Sequence, residues 1–170
     1  MMRDMHEVRV LMVCMGNICR SPMAEAVLRH RLEQEGLGDR VLVDSAGTHS
    51  YHLGHAPHPE TQAELRRQGV AVGDQTSRLV TSADLDEFDF VVAMDRANLS
   101  ELRTIAQQAG GLDEVAAEVA LLLEYADEVP GDNVDEVPDP YYVGGYDRVY
   151  ELVDAGCSGL LARVRERLES

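Results

Sequence analysis

The chain has 170 residues and carries 31 acidic side chains against 15 basic ones, all of the latter arginine, for a net charge of −16. That balance argues against a nucleic-acid partner, and no apolar run approaches the roughly 18–20 residues that cross a bilayer. Three cysteines are too few, and odd in number, for a secreted disulfide framework. The polar start M-M-R-D-M-H-E also lacks a signal-peptide core. The expectation is therefore one cytoplasmic domain over 1–170, long enough for a proper core.

The first element is a near-continuous apolar run, Val8 to Val13, as expected for a strand buried on both faces. It feeds the loop C-M-G-N-I-C-R-S-P, after which Ala26, Val27, Leu28 and Leu32 recur at helical spacing up to Gly36. Ser21 and Pro22 suit the N-cap and first position of that helix. Gly16 and Asn17 are the residue types that most easily let a backbone turn inward. A tight loop before a helix N-terminus aims several N–H groups at one point, backed by the helix dipole, and so binds a tetrahedral oxyanion. Met15, Gly16, Asn17, Ile18 and Cys19 make up this nest, and Arg20 adds a two-pronged donor. Cys14 stands at its mouth, where a thiolate is stabilised and becomes a nucleophile for a phosphate ester. The loop and Arg20 supply the positive charge that a metal supplies elsewhere, so no cofactor is called for.

Val41 to Val43 is the second strand, leading into D-S-A-G-T. A strand–helix–strand order implies a parallel crossover, with ligands beyond the carboxyl ends of the strands. Ser45 lies at such an end and can brace Asn17. His49, His52, His55 and His58 then recur at a spacing of three, in a loop that Gly54, Pro57 and Pro59 keep from being helical. A polyproline-like chain would align them on one face, where a transition metal can bind, although no cysteine or carboxylate accompanies them. A helix is expected over Pro59 to Gly69, with Ala63 and Leu65 inward and Glu64, Arg66 and Arg67 outward. A short helical turn follows over Thr81 to Leu85, then a third strand over Phe88 to Ala93 and a helix from Met94 to about Gln108. The fourth strand is read over Val119 to Leu123, and a final helix over Tyr146 to Leu168 buries Cys157.

Between these last two elements stands V-P-D-P-Y-Y. Two prolines hold Asp139 extended and stiff. A carboxylic acid fixed over the anion nest can protonate a departing phenol and then take a proton from water. Tyr141 and Tyr142 can line the same cleft. Cys19 sits five residues from Cys14, near enough to trap a sulfenic acid formed there as a disulfide.

The string C-M-G-N-I-C-R-S-P resembles the C-x5-R-S/T signature of protein tyrosine phosphatases, in the form used by the low-molecular-weight family. M-D-x-x-N at Met94 to Asn98, Ser45 opposite Asn17, and D-P-Y-Y near the C-terminus extend the resemblance over essentially the whole chain. It implies an acid phosphatase acting on phosphotyrosine proteins, a tyrosine kinase among the candidate partners, and on aryl phosphates. Cys14 would be the nucleophile, Arg20 the phosphate clamp and Asp139 the general acid. The resemblance also makes Tyr51 the aromatic wall of the cleft, and Tyr141 and Tyr142 sites of regulatory phosphorylation. The expected fold is three-layer α/β, a four-stranded parallel sheet of order 2-1-3-4 with helices on both faces. Three rivals stand beside this reading. A subfamily acting on phosphoarginine carries threonine where this chain has Ile18, arsenate reduction needs further cysteines near the nucleophile, and a phosphate-binding module would lack turnover.

Overall fold

The computed structural model describes residues 6–131 and 134–170; most of the polar start lies outside them. Four strands form one parallel sheet: β1 (Val8–Cys14), β2 (Val41–Gly47), β3 (Phe90–Ala93) and β4 (Glu118–Leu121), in the order β2-β1-β3-β4. β1 lies at the centre, pairing Val10 with Val43 on one side and Met12 with Val92 on the other. This is the order expected from the sequence.

Pleating sends alternate side chains of β1 to opposite faces. Val8, Val10, Met12 and Cys14 enter the larger core, with α1 (Arg20–Gln34), α2 (Pro59–Arg67) and the long α6 (Tyr146–Glu169). Leu11 and Val13 enter the other core, under α3 (Asp84–Glu87) and α4 (Arg96–Ala106). Both faces of the strand are therefore buried, which is why it reads as an unbroken apolar run rather than an alternating one. Cys14, the last residue of β1, inherits the α1 side of the sheet.

Several boundaries differ from the expected ones. α1 begins at Arg20, with Cys19 in the capping position, so Ser21 and Pro22 lie inside the first turn. Proline is tolerated there because it has no N–H to leave unpaired. Ser21 is released from capping and turns inward to the loop. β3 starts at Phe90 rather than Phe88, since Asp89 instead ties off the start of β1: its backbone N donates to Arg9 O, and its carboxylate accepts from Arg9 N. β4 ends at Leu121, and Leu122–Glu124 close into a 3-10 turn. α3 is shifted to Asp84–Glu87 because the Asp84 carboxylate accepts from Thr81 N and caps the turn before it. α2 stops at Arg67, α4 spans Arg96–Ala106, and α5 (Pro140–Val143) is an additional short helix.

Glu64 reverses the expected polarity of α2. It is buried, ion-paired to Arg67 and hydrogen-bonded by Gln68 at 2.9 Å. A local pairing lets the inward face accept a carboxylate that the helical pattern alone assigns to solvent. Cys157 is buried in the α6 interface, its thiol donating to Ala24 O at 3.6 Å.

Candidate active site

The site grows from the junction of β1 and α1. The carbonyls of Cys14 and Met15 accept from Thr48 N and His49 N, and those of Gly16 and Ile18 from the Ser77 hydroxyl and His58 N. In a trans peptide the next N–H points opposite to the carbonyl. Turning these carbonyls outward therefore turns the amides of residues 15, 16, 17 and 19 toward the mouth of the loop. One of them, Asn17 N, lies 3.3 Å from Cys14 Sγ.

Asn17 makes the turn at φ 56°, the one non-glycine residue in left-handed backbone among those described. Asparagine tolerates that conformation better than most side chains, and here its amide is held on three sides. Nδ2 donates to Ser21 Oγ and Ser45 Oγ, both at 2.9 Å, and Oδ1 accepts from Arg78 N at 3.1 Å. The Ser45 hydroxyl in turn donates to Glu25 Oε1 at 2.6 Å. These bonds have a direction. A hydroxyl has one proton, so Ser45 gives its own to Glu25 and accepts from Asn17. Ser21 likewise accepts from Asn17, which leaves its proton for Cys14 Sγ, 3.0 Å away. Burial pushes the Glu25 carboxyl above its ordinary range, opposed by Ser45 and by the ion pair with Arg29.

Arg20 is buried beneath the loop. Its guanidinium donates to Asp95 Oδ2 at 2.6 Å, to Val137 O at 3.0 Å and to Asp139 Oδ2 at 3.4 Å. Burial works against its charge, but Cys14, Asp95 and Asp139 outweigh it and raise the arginine above its usual value. Asp139 caps α5 through Tyr141 N at 3.0 Å. That capping bond and the flanking prolines fix its carboxylate over the cavity.

Cys14, Arg20 and Asp139 line one cavity of about 220 Å³, with Met15, Gly16, Ile18 and Cys19 on its floor and sides. Its outer wall is aromatic: Tyr51, Tyr141 and Tyr142, all exposed, together with His52. His52 packs against the Tyr141 ring at 5.4 Å, and Tyr141 meets Tyr142 edge-on at 5.2 Å. All the residues expected at the site except Asn17, Ser21 and Ser45 line this cavity, and those three brace it from behind. The three cysteines are free thiols. Burial pushes Cys19 up to about 11, while its Sγ sits 3.6 Å from the Tyr146 hydroxyl.

Three of the histidines gather by ring contact, His52 with His55 at 5.9 Å, and His52 and His58 both against Tyr141, but each has its own task. His49 stacks on Tyr51, His52 joins the cavity wall, and His58 Nδ1 accepts from Glu60 N to cap α2. Among the described residues, no group of three or more His, Cys, Asp or Glu side chains could hold a metal. Sequence reasoning missed Glu25, Ser77 and Arg78, and it took Asp95 only as a helix start. A carboxylate in the apolar string A-E-A-V-L was a signal for Glu25; the segment holding Ser77 and Arg78 has no periodicity to read.

A thiol in an anion-binding loop at the carboxyl edge of a parallel sheet, backed by a buried arginine and faced by a carboxyl group, defines a class of cysteine-centred phosphate sites. The chain belongs to the low molecular weight phosphotyrosine protein phosphatase family, whose profile matches residues 9–170. It is 40% identical over 159 residues to the low molecular weight protein-tyrosine-phosphatase YfkJ of Bacillus subtilis, covering 94% of this chain and 97% of the relative. It is 45% identical over 163 residues to a low molecular weight protein-tyrosine-phosphatase of Streptomyces coelicolor, covering 95% and 96%. The crystal structure of YfkJ superposes with a TM-score of 0.84 over 94% of this chain and 95% of that one. That of a Drosophila arginine phosphatase, 32% identical, does so at 0.81 over 92% and 97%.

Proposed function

We propose that this protein is a cysteine-dependent protein tyrosine phosphatase, hydrolysing phosphotyrosine and aryl phosphates through a phosphocysteine. The reading rests on one observation above the others: Cys14, Arg20 and Asp139 line a single cavity. Cys14 Sγ attacks phosphorus as the P–O bond to the phenol breaks. Arg20 and the inward amides hold the equatorial oxygens, and Asp139 gives its proton to the leaving phenolate. Asp139 then takes a proton from water, whose oxygen attacks the phosphocysteine and returns Cys14 as thiolate. The Ser21 hydroxyl, aimed at Sγ, stabilises that thiolate before attack and as leaving group.

The aromatic wall favours a flat ring, and Ile18 adds apolar surface where the expected phosphoarginine variant has threonine. One structural neighbour is an arginine phosphatase of Drosophila, so phosphoarginine is the second substrate to test. Arsenate reduction is disfavoured by the position of Cys157, buried against Ala24 O rather than in the cavity. We take the natural substrates to be phosphotyrosine proteins, with a tyrosine kinase among them. We take 1–170 as one catalytic domain, and the compartment as the cytoplasm, in keeping with three unpaired thiols.

The deciding assay compares phosphotyrosine, phosphoserine and phosphoarginine peptides with para-nitrophenyl phosphate. Cys14→Ser should abolish turnover. Asp139→Ala should lower kcat by roughly 10²–10⁴ on phosphotyrosine and by less on para-nitrophenyl phosphate, whose leaving group needs less protonation. An equal loss on both substrates would remove Asp139 as proton donor.

A further inference from the structure

A second groove, of about 240 Å³, adjoins the catalytic cavity beside Arg20. It shares Met15, Arg20, Asp139 and Tyr142 with the catalytic cavity, so a polypeptide whose phosphotyrosine occupies the cavity has neighbouring residues beside it. Its outer wall is built from α4, by Ala97, Asn98 and Glu101, and from Thr48 and His49 after β2.

The charge of this groove is one-sided. Asp95 and Glu101 face it against the one guanidinium of Arg20, which Asp95 already engages, while Asp139, as the proton donor, adds no charge in the substrate complex. Glu101 is half-buried and makes no ion pair among the described residues. The N-terminus of α4 does not offset this, because Asn98 N already donates to Asp95 and Arg96 N to Glu136. His49 Nδ1 is bonded to the Thr48 hydroxyl, and its ring is stacked on Tyr51. The net charge of −16 adds a long-range field of the same sign.

We propose that this groove takes a basic side chain of the substrate, an arginine or lysine near the phosphotyrosine, and that Glu101 is the residue that selects it. The inference rests on the phosphatase reading above. An acidic flank would place like charges together in a half-buried groove, which costs affinity. A guanidinium beside Glu101 instead gains the pairing that the protein leaves unmade.

The test uses one phosphotyrosine peptide sequence with arginine, alanine or glutamate at each of the three positions on either side, read as kcat/KM. Arginine should exceed alanine by about fivefold at one position or more, about 1 kcal/mol at 1.4 kcal/mol per factor of ten, with glutamate below both. Glu101→Ala should bring the arginine-to-alanine ratio close to one, and Glu101→Arg should invert the order. Equal turnover of the three peptides would overturn the proposal. So would an arginine preference that Glu101→Ala leaves intact, since the overall field would then be its source. No turnover of any phosphotyrosine peptide would overturn the phosphatase reading and this one with it; turnover without preference overturns this one alone.

Discussion

Asp95 has two carboxylate oxygens with two tasks. Oδ1 accepts from Asn98 N and caps α4, while Oδ2 accepts from Arg20 at 2.6 Å. Serine at this position keeps one capping oxygen and removes the second carboxylate oxygen, the acceptor that faces Arg20. The Arg20 side chain is 3% exposed and that of Asp95 21%. Removing one partner of a buried pair costs about 3–5 kcal/mol. Val137 O and Asp139 remain as acceptors here, and water reaches the Asp95 side, so Asp95→Ser should cost about 2–3 kcal/mol. At about 2–4 °C per kcal/mol for a domain of this size, Tm falls by about 4–12 °C. Inorganic phosphate, by offering Arg20 a new acceptor, should narrow the gap between variant and parent in a thermal melt. A variant that melts within 1 °C of the parent, or a gap that widens as phosphate is added, would refute the view that Asp95 neutralises a buried guanidinium.

Two further outcomes follow from the neighbouring residues. Cys19 is held protonated up to about 11, against an ordinary 9.0, chiefly by burial. The folded state therefore retains a proton that the unfolded thiol loses. The contribution is complete below pH 9 and disappears as pH rises through 11, a loss of about 2–3 kcal/mol at 1.36 kcal/mol per pH unit. Urea melts of the parent and of Cys19→Ala across pH 8–11 should show the parent's advantage shrinking by that amount; a constant difference would contradict it. Gly47 pairs with Cys14 in the sheet, and a Cβ there would meet Met15 O at 2.8 Å and Asn17 Cβ at 3.2 Å. Gly47→Ala should cut kcat/KM at least tenfold while circular dichroism stays that of the parent, and full activity would show that the loop has more room than this.

The parts of the site that are local in sequence were legible, and the parts that depend on distant packing were not. The loop of Cys14 to Arg20 is one contiguous string between a strand and a helix, so its geometry follows from neighbours. Asp139 was placed at the cavity from a distance because the proposed reaction demands a proton donor and two prolines mark a rigid carboxyl. Asp95 and Arg20 lie 75 positions apart, and only the β1–β3 pairing, with Val13 beside Ala93, brings the ends of their strands together. Glu64 was misread because a helical pattern assigns charge to solvent, yet a buried carboxylate is stable once Arg67 and Gln68 satisfy it. The start of α1 was misplaced for a related reason. Ser21 has the composition of a cap, but it is recruited into the loop by Asn17 and Cys14, a competition that propensity does not record.

The loop itself is not self-supporting, and this explains the choice of residues around it. Asn17 is held in left-handed backbone, a conformation that costs of order 1–3 kcal/mol and persists only where the surroundings impose it. The restraint comes from three separate segments: Ser45 at the end of β2, Arg78 N beyond α2, and Ser21 in α1. Glu25 reaches the same network through Ser45, and Ser77 fixes the Gly16 carbonyl. A change at any of these positions leaves Cys14, Arg20 and Asp139 chemically intact but loosens the amides that must meet an oxyanion. Loss of activity without loss of fold is thus the signature to expect from the supporting residues, whereas a change at Arg20, buried and paired with Asp95 and Asp139, should lower activity and stability together.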